Sequence, residues 1–167
     1  MPYVPTSVSA FPLPLEGQEL AVFFDSGVRY NIQTVYATLL SSDHYRMDEK
    51  ESERVVVLRR TAVPFVSVEE ITRASAQITS QLRAYHRRWG ALVDLRQAPP
   101  RNDEAFEQAT KALRAAMSAH FARVAVLIQT PVGALQVNRV QRDEGVSLFV
   151  TMSEQEALSF ASGTLKG

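Results

Sequence analysis

Two arginines and one acid-free helix start are the residues of this chain best suited to holding a ligand. Arg96 and Arg101 follow an apolar run on one connection, and Thr130-Pro131-Val132-Gly133-Ala134 opens a stretch whose first turn lacks a carboxylate. Guanidinium forks and unpaired first-turn N–H groups both favour a carboxylate or a phosphate. Arg96, Arg101, Thr130 and Gly133 therefore form a candidate site for a small anionic ligand. The other three helix starts carry Glu69 and Glu70, Asp103 and Glu104, and Glu154 and Glu156, which repel an anion. Pro131 and Gly133 equally suit a tight helix start packed on a sheet, the commoner use of such residues.

Catalytic chemistry finds less support. A nucleophile needs an oriented base within reach, yet His44 lies in a polar stretch, and His86 and His120 fall near expected helix C-termini, where positive charge suits the helix dipole. No His or carboxylate pair at i, i+4 stands beside a third metal ligand, and no glycine-rich phosphate loop follows an apolar run. The chain has no cysteine, hence neither disulfides nor thiolate chemistry. A receiver-type phosphorelay domain needs acids at the end of its first strand, where this chain has Arg59-Arg60-Thr61. The expectation is a protein that is not an enzyme and uses no cofactor or metal.

The elements that would position these residues repeat four times from Arg54 to Gly163. Short apolar, β-rich runs at Val55–Leu58, Ala91–Arg96, Val124–Thr130 and Ser147–Thr151 read as buried strands. Each is followed by a helix start. Ser67-Val68-Glu69-Glu70 and Ser153-Glu154-Gln155-Glu156 are capping boxes, in which Glu70 and Glu156 are expected to reach back to the amides of Ser67 and Ser153. Asn102 or Asp103 caps the second helix, and Thr130 with Pro131 starts the third. Ile71, Ser75, Ile78, Leu82, Tyr85 and Trp89 share one helical stripe, as do Phe106, Ala109, Leu113, Met117 and Phe121. Gly90 and Gly145 stand where helix C-caps are expected. Alternation with short connections implies parallel strands joined by right-handed crossovers. The fold class expected is α/β, a layered domain over 51–167 with a mainly parallel central sheet and four helices.

Composition is compatible with one core. The 167 residues are 46% hydrophobic, and no apolar run approaches the roughly 20 residues that span a bilayer. With no cation before Arg29 to mark a secretory signal, a soluble, cytoplasmic protein is expected. Net charge is zero, but residues 1–49 hold two cations and six acids, whereas residues 50–167 hold sixteen cations and twelve acids. Fifteen of the eighteen cations are arginine, which favours bidentate pairing and interfaces over loose solvation. The face of Gln136, Asn138, Arg139, Gln141 and Arg142 lacks the aromatics that nucleic-acid binding wants.

Residues 1–50 depart from the repeat. Pro2, Pro5, Pro12 and Pro14 favour an extended start, and the apolar runs Leu20–Phe24 and Tyr30–Leu40 flank Asp25-Ser26-Gly27 as in a β-hairpin. The stretch from Ser41 to Glu53 reads as a polar surface loop or linker. The N-terminal segment is thus expected to be a hairpin extension that either lengthens the sheet edge or docks on a partner.

The residues ALVDLRQAPPRNDEAFEQA, ARVAVLIQT and SLFVTMSEQEALSFAS, in this order of strands and helices, resemble the STAS superfamily, named for sulfate transporters and anti-sigma factor antagonists, and within it the SpoIIAA-like members. The resemblance covers about two-thirds of the chain. It implies a bacterial regulatory or scaffolding module that binds another protein; the neutral charge and the short apolar runs argue for no nucleic-acid partner and no membrane insertion, and the edge strand left by the N-terminal hairpin leaves a homodimer open. Switchable members carry a phosphorylatable serine or threonine at the start of the helix after the Asp-bearing strand. The matching stretch here is Arg101-Asn102-Asp103-Glu104, so the usual switch is absent. Arg101, Asn102, Asp103 and Phe106 are the residues expected to meet the partner.

Overall fold

The computed structural model describes residues 36–101 and 103–165. Among the described residues six strands form one sheet in chain order: β1 (Ala37–Ser41), β2 (Tyr45–Lys50), β3 (Val55–Arg60), β4 (Gly90–Asp94), β5 (Arg123–Leu127) and β6 (Phe149–Thr151). β1, β2 and β3 pair antiparallel, and β3 to β6 run parallel. The helices are α1 (Val68–Leu82), α2 (Glu104–His120), α3 (Pro131–Glu144) and α4 (Glu154–Ser162). The α/β class with four helices stands as the strand and helix periods implied.

Side-chain alternation divides the sheet into two faces. On one, Tyr45, Met47, Val56, Leu58, Ala91 and Val124 meet Ile71, Ile78 and Leu82 of α1 and Leu113 and Met117 of α2. On the other, Val55, Val57, Leu92, Ala125 and Leu127 meet Ala157 and Ala161 of α4. Burying each large aliphatic contributes about 1.5–3 kcal/mol, so the α1 and α2 face holds most of the packing energy. Small residues let α4 lie close. A Cβ on Gly90 would stand 1.9 Å from the Ala161 carbonyl oxygen.

Local chemistry starts the helices. Ser67, Asp103, Thr130 and Ser153 each accept from the backbone N–H three residues on, at 3.0–3.3 Å. The reciprocal half of both boxes differs from expectation. Glu70 accepts from the Val66 amide at 3.0 Å, and Glu156 from the Thr151 hydroxyl at 2.6 Å. In each case the Glu ties the incoming loop to the helix, instead of closing on the cap residue itself.

Three further expectations are corrected. Tyr45–Lys50 is no linker: it is the strand β2, and Tyr45, Met47, Asp48 and Lys50 in it are buried. Its charges are tolerated because each has a partner. Asp48 accepts from Arg46, Arg59 and Thr38, and Lys50 lies 2.8 Å from Glu53 and over the Tyr36 ring. α1 stops at Leu82, and Tyr85 and Trp89 reach the core from the following turns, where their rings meet edge-on at 5.2 Å. Gly90 opens β4 and caps no helix, whereas Gly145 does cap α3, with φ +64°. The described hairpin, β1 to β2, lengthens the sheet and turns at 42–44; the pairing expected around Asp25-Ser26-Gly27 lies outside the described residues.

Candidate functional site

The carboxyl ends of β3 to β6 and the starts of all four helices share one edge of the sheet, because each strand feeds directly into its helix. This is where open α/β sheets bind their ligands. An open groove of about 830 Å³ lies on it, lined by Arg59 and Arg60 at the end of β3 and Ala62 after it, Asp94 at the end of β4 and Arg96 and Gln97–Pro100 after it, and Gln129 after β5.

Arg59 and Arg96 are both set by buried carboxylates. Arg59 Nη1 donates to Asp48 Oδ2 at 2.5 Å, and Asp48 is 1% exposed. Arg96 is bidentate on Asp94, through Nε to Oδ1 at 3.0 Å and Nη2 to Oδ2 at 2.7 Å, and its own amide also donates to Oδ1. Register places Arg59 opposite Asp94 across β3 and β4. Burial works to raise the Asp94 pKa, but the Arg96 hydrogen bonds and the charges of Arg96 and Arg59 outweigh it and hold Asp94 below the ordinary carboxylate range. The bond to Asp94 in turn raises the Arg96 pKa. Glu154, in the first turn of α4, brings a second carboxylate to 3.0 Å from Arg96 Nη2.

Arg60 serves a different purpose. Its guanidinium donates to the carbonyls of His44, Thr61 and Val63 at 2.6–2.9 Å and lies over the Phe65 ring at 4.3 Å. Burial lowers its pKa, with the nearby Tyr45 opposing. These bonds fasten the turn at 42–44 and the connection after β3 to one another, leaving Arg60 a fixture of the edge.

The residues singled out from the sequence are only partly brought together. Arg96 lines the groove. Arg101 pairs with Asp103 at 2.5 Å, reaches the Phe65 carbonyl at 3.4 Å, lies over the Phe106 ring at 5.7 Å, and accepts at its own carbonyl from Gln136. Asp103 is the α2 cap; its pKa is lowered, chiefly by the Arg101 hydrogen bond. Phe106 is half-buried beside the core. Thr130 and Gly133 are bonded to one another as cap and acceptor-bound amide. Asn102 lies outside the described residues.

Arg59, Asp48 and Gln129 were not anticipated. The signal for the first two was the alternation in Tyr45–Lys50, which puts Arg46, Asp48 and Lys50 on one face of a strand, where the buried Asp48 calls for a counter-charge from the next.

The edge is also where apolar surface is left uncovered. Among the described residues the exposed large aliphatics are Val63, Val66, Val68, Val132, Leu135, Met152 and Leu165, and all except Leu165 lie in these connections or in the first two turns of the helices. Val66, Val132 and Leu135 are 83%, 74% and 70% exposed.

No family model, curated protein or solved structure matches this chain. Among the described residues no helix is long and apolar enough to cross a membrane.

Proposed function

We propose that this protein is a non-enzymatic regulatory or scaffolding module that binds a partner protein through the carboxyl edge of its sheet. The observation that carries this reading is the confinement of exposed aliphatics to that edge. Val63, Val66, Val68, Val132, Leu135 and Met152 come from three separate connections, and the other described surfaces offer only Leu165 among large aliphatics. Apolar side chains exposed together around polar groups mark interaction surfaces. Arg101, Asp103 and Phe106 lie on the same edge at the start of α2, and the STAS-like, SpoIIAA-like resemblance points to protein binding there as well.

A small-molecule sensor is the second reading, supported by the arginine-lined groove. The arginines favour an anion, although Glu154 and Asp94 already engage Arg96.

Affinity co-purification with quantitative mass spectrometry, comparing the natural chain with a Val66→Asp, Leu135→Asp double variant, tests the first reading. A partner enriched by the natural chain and lost at least tenfold by the folded variant is expected. Equal enrichment by both would refute an edge-mediated interaction.

A further inference from the structure

Arg96 already holds a carboxylate that did not have to be there. Glu154 belongs to α4, two helices beyond α2, is 48% exposed, and reaches across to lie 3.0 Å from Arg96 Nη2, while the buried Asp94 fixes the same guanidinium from behind. The arrangement has two layers: a buried acid orients the fork, and an exposed acid occupies its outer side. Arg59 repeats the inner layer. Asp48 takes its Nη1, and among the described residues its Nε and Nη2 make no hydrogen bond. Arg59 and Arg96 are about one-third exposed, at 32% and 38%, and both face the same groove, with the exposed amide of Gln129 on its lining. Pro99 and Pro100 form another part of the wall, stiff and without N–H donors.

We infer that this groove takes an acidic side chain of the partner protein, in a segment whose neighbouring residues are aliphatic, and that Glu154 occupies Arg96 in its place when the partner is absent. This rests on the partner-binding reading of the same edge. A carboxylate matches the planar fork of an oriented guanidinium. The lining supplies three guanidiniums against one carboxylate, and Arg60 is already committed to backbone carbonyls, leaving Arg59 and Arg96 to meet an incoming acid. Aliphatic flanks follow from Val63 and Val132, which continue the chain just beyond the groove residues Ala62 and Gln129.

The probe is the peptide acetyl-Leu-Asp-Leu-Asp-Val-amide, compared with its Asn-for-Asp isostere and with inorganic phosphate, in an NMR titration of the full chain that follows backbone amides, arginine Nε–H groups and the Gln129 side chain. The acidic peptide should saturably shift Arg59, Arg96 and Gln129, with at least tenfold higher affinity than the isostere. Glu154→Gln should tighten this binding severalfold by vacating Arg96, and Arg96→Gln, with a folded spectrum, should weaken it at least tenfold. Equal binding of the two peptides, shifts confined to other surfaces, or no effect of Glu154→Gln would overturn the inference. So would phosphate producing the same shifts at equal or lower concentration, which would assign the groove to a small oxyanion. Loss of partner capture in the Val66→Asp, Leu135→Asp variant alongside a null peptide titration would leave the docking edge intact and remove only the acidic specificity.

Discussion

α1 and α3 begin with the same chemistry and end in different circumstances. Each is capped by a hydroxyl, Ser67 or Thr130, that accepts from the N–H three residues on. α1 then buries Ile71, Ala74, Ser75, Ile78 and Leu82, whereas α3 buries no residue at all. α3 is tied by polar contacts instead, to α2 through Arg114 with Glu144 and Arg139 with Glu107, and to the connection before α2 through Gln136 and the Arg101 carbonyl. A cap decides where a helix starts; an apolar stripe decides what it packs on. In α3 the large aliphatics at its start, Val132 and Leu135, remain at the surface, where they are available to another molecule.

The largest test of this contrast is truncation. Ile78→Ala should cost about 2–5 kcal/mol, the range for emptying a buried aliphatic site, while Leu135→Ala should stay within about 0.5 kcal/mol. Urea denaturation of the two variants checks this, and similar losses would break the contrast. Ser67→Ala and Thr130→Ala sharpen it, because both should cost about 1 kcal/mol in the same assay. A cap is a local device, so unequal packing behind the two helices should leave these two values alike.

Acid should act on α3 before α1. The hydrogen bond from Arg114, opposed by burial and helped by the charges of Arg114 and Lys111, holds the Glu144 carboxyl below its ordinary value. A carboxyl lowered in the folded state stabilises fully above the ordinary carboxylate pKa of about 4.3, and this contribution is lost as pH falls through the folded value. Hydrogen exchange, corrected for its intrinsic pH dependence, should therefore show α3 amides losing protection below about pH 4. The amides of Ile71 to Leu82 should hold theirs longer.

Much of the fold was legible because the signals were local. The four helix starts and the four parallel strands each carry a marker within a few residues: a hydroxyl or Asp before the first turn, or a β-branched run. β2 was hidden because its sequence, Tyr-Arg-Met-Asp-Glu-Lys, looks solvated until Arg59, a strand away, is known to meet Asp48. The candidate site suffered the same way. Arg96 stood out by its place after a strand, but its pairing with Asp94 and Glu154, and its approach to Arg59, depend on strand register and on α4 crossing to the other face. Tyr85 and Trp89 kept the right stripe for the wrong reason, since the core takes them from turns just as well.

The claim that the carboxyl edge is the docking surface is tested most directly by placing one change at each end of the molecule. Leu135→Asp puts a charge among the exposed aliphatics of the edge, and Leu165→Asp puts the same charge beyond the C-terminus of α4. Both replace surface side chains and should alter stability by no more than about 0.5 kcal/mol. Quantitative partner capture by the two folded variants should fall at least tenfold for Leu135→Asp and stay unchanged for Leu165→Asp. Equal retention by both, or loss only with Leu165→Asp, would contradict the account.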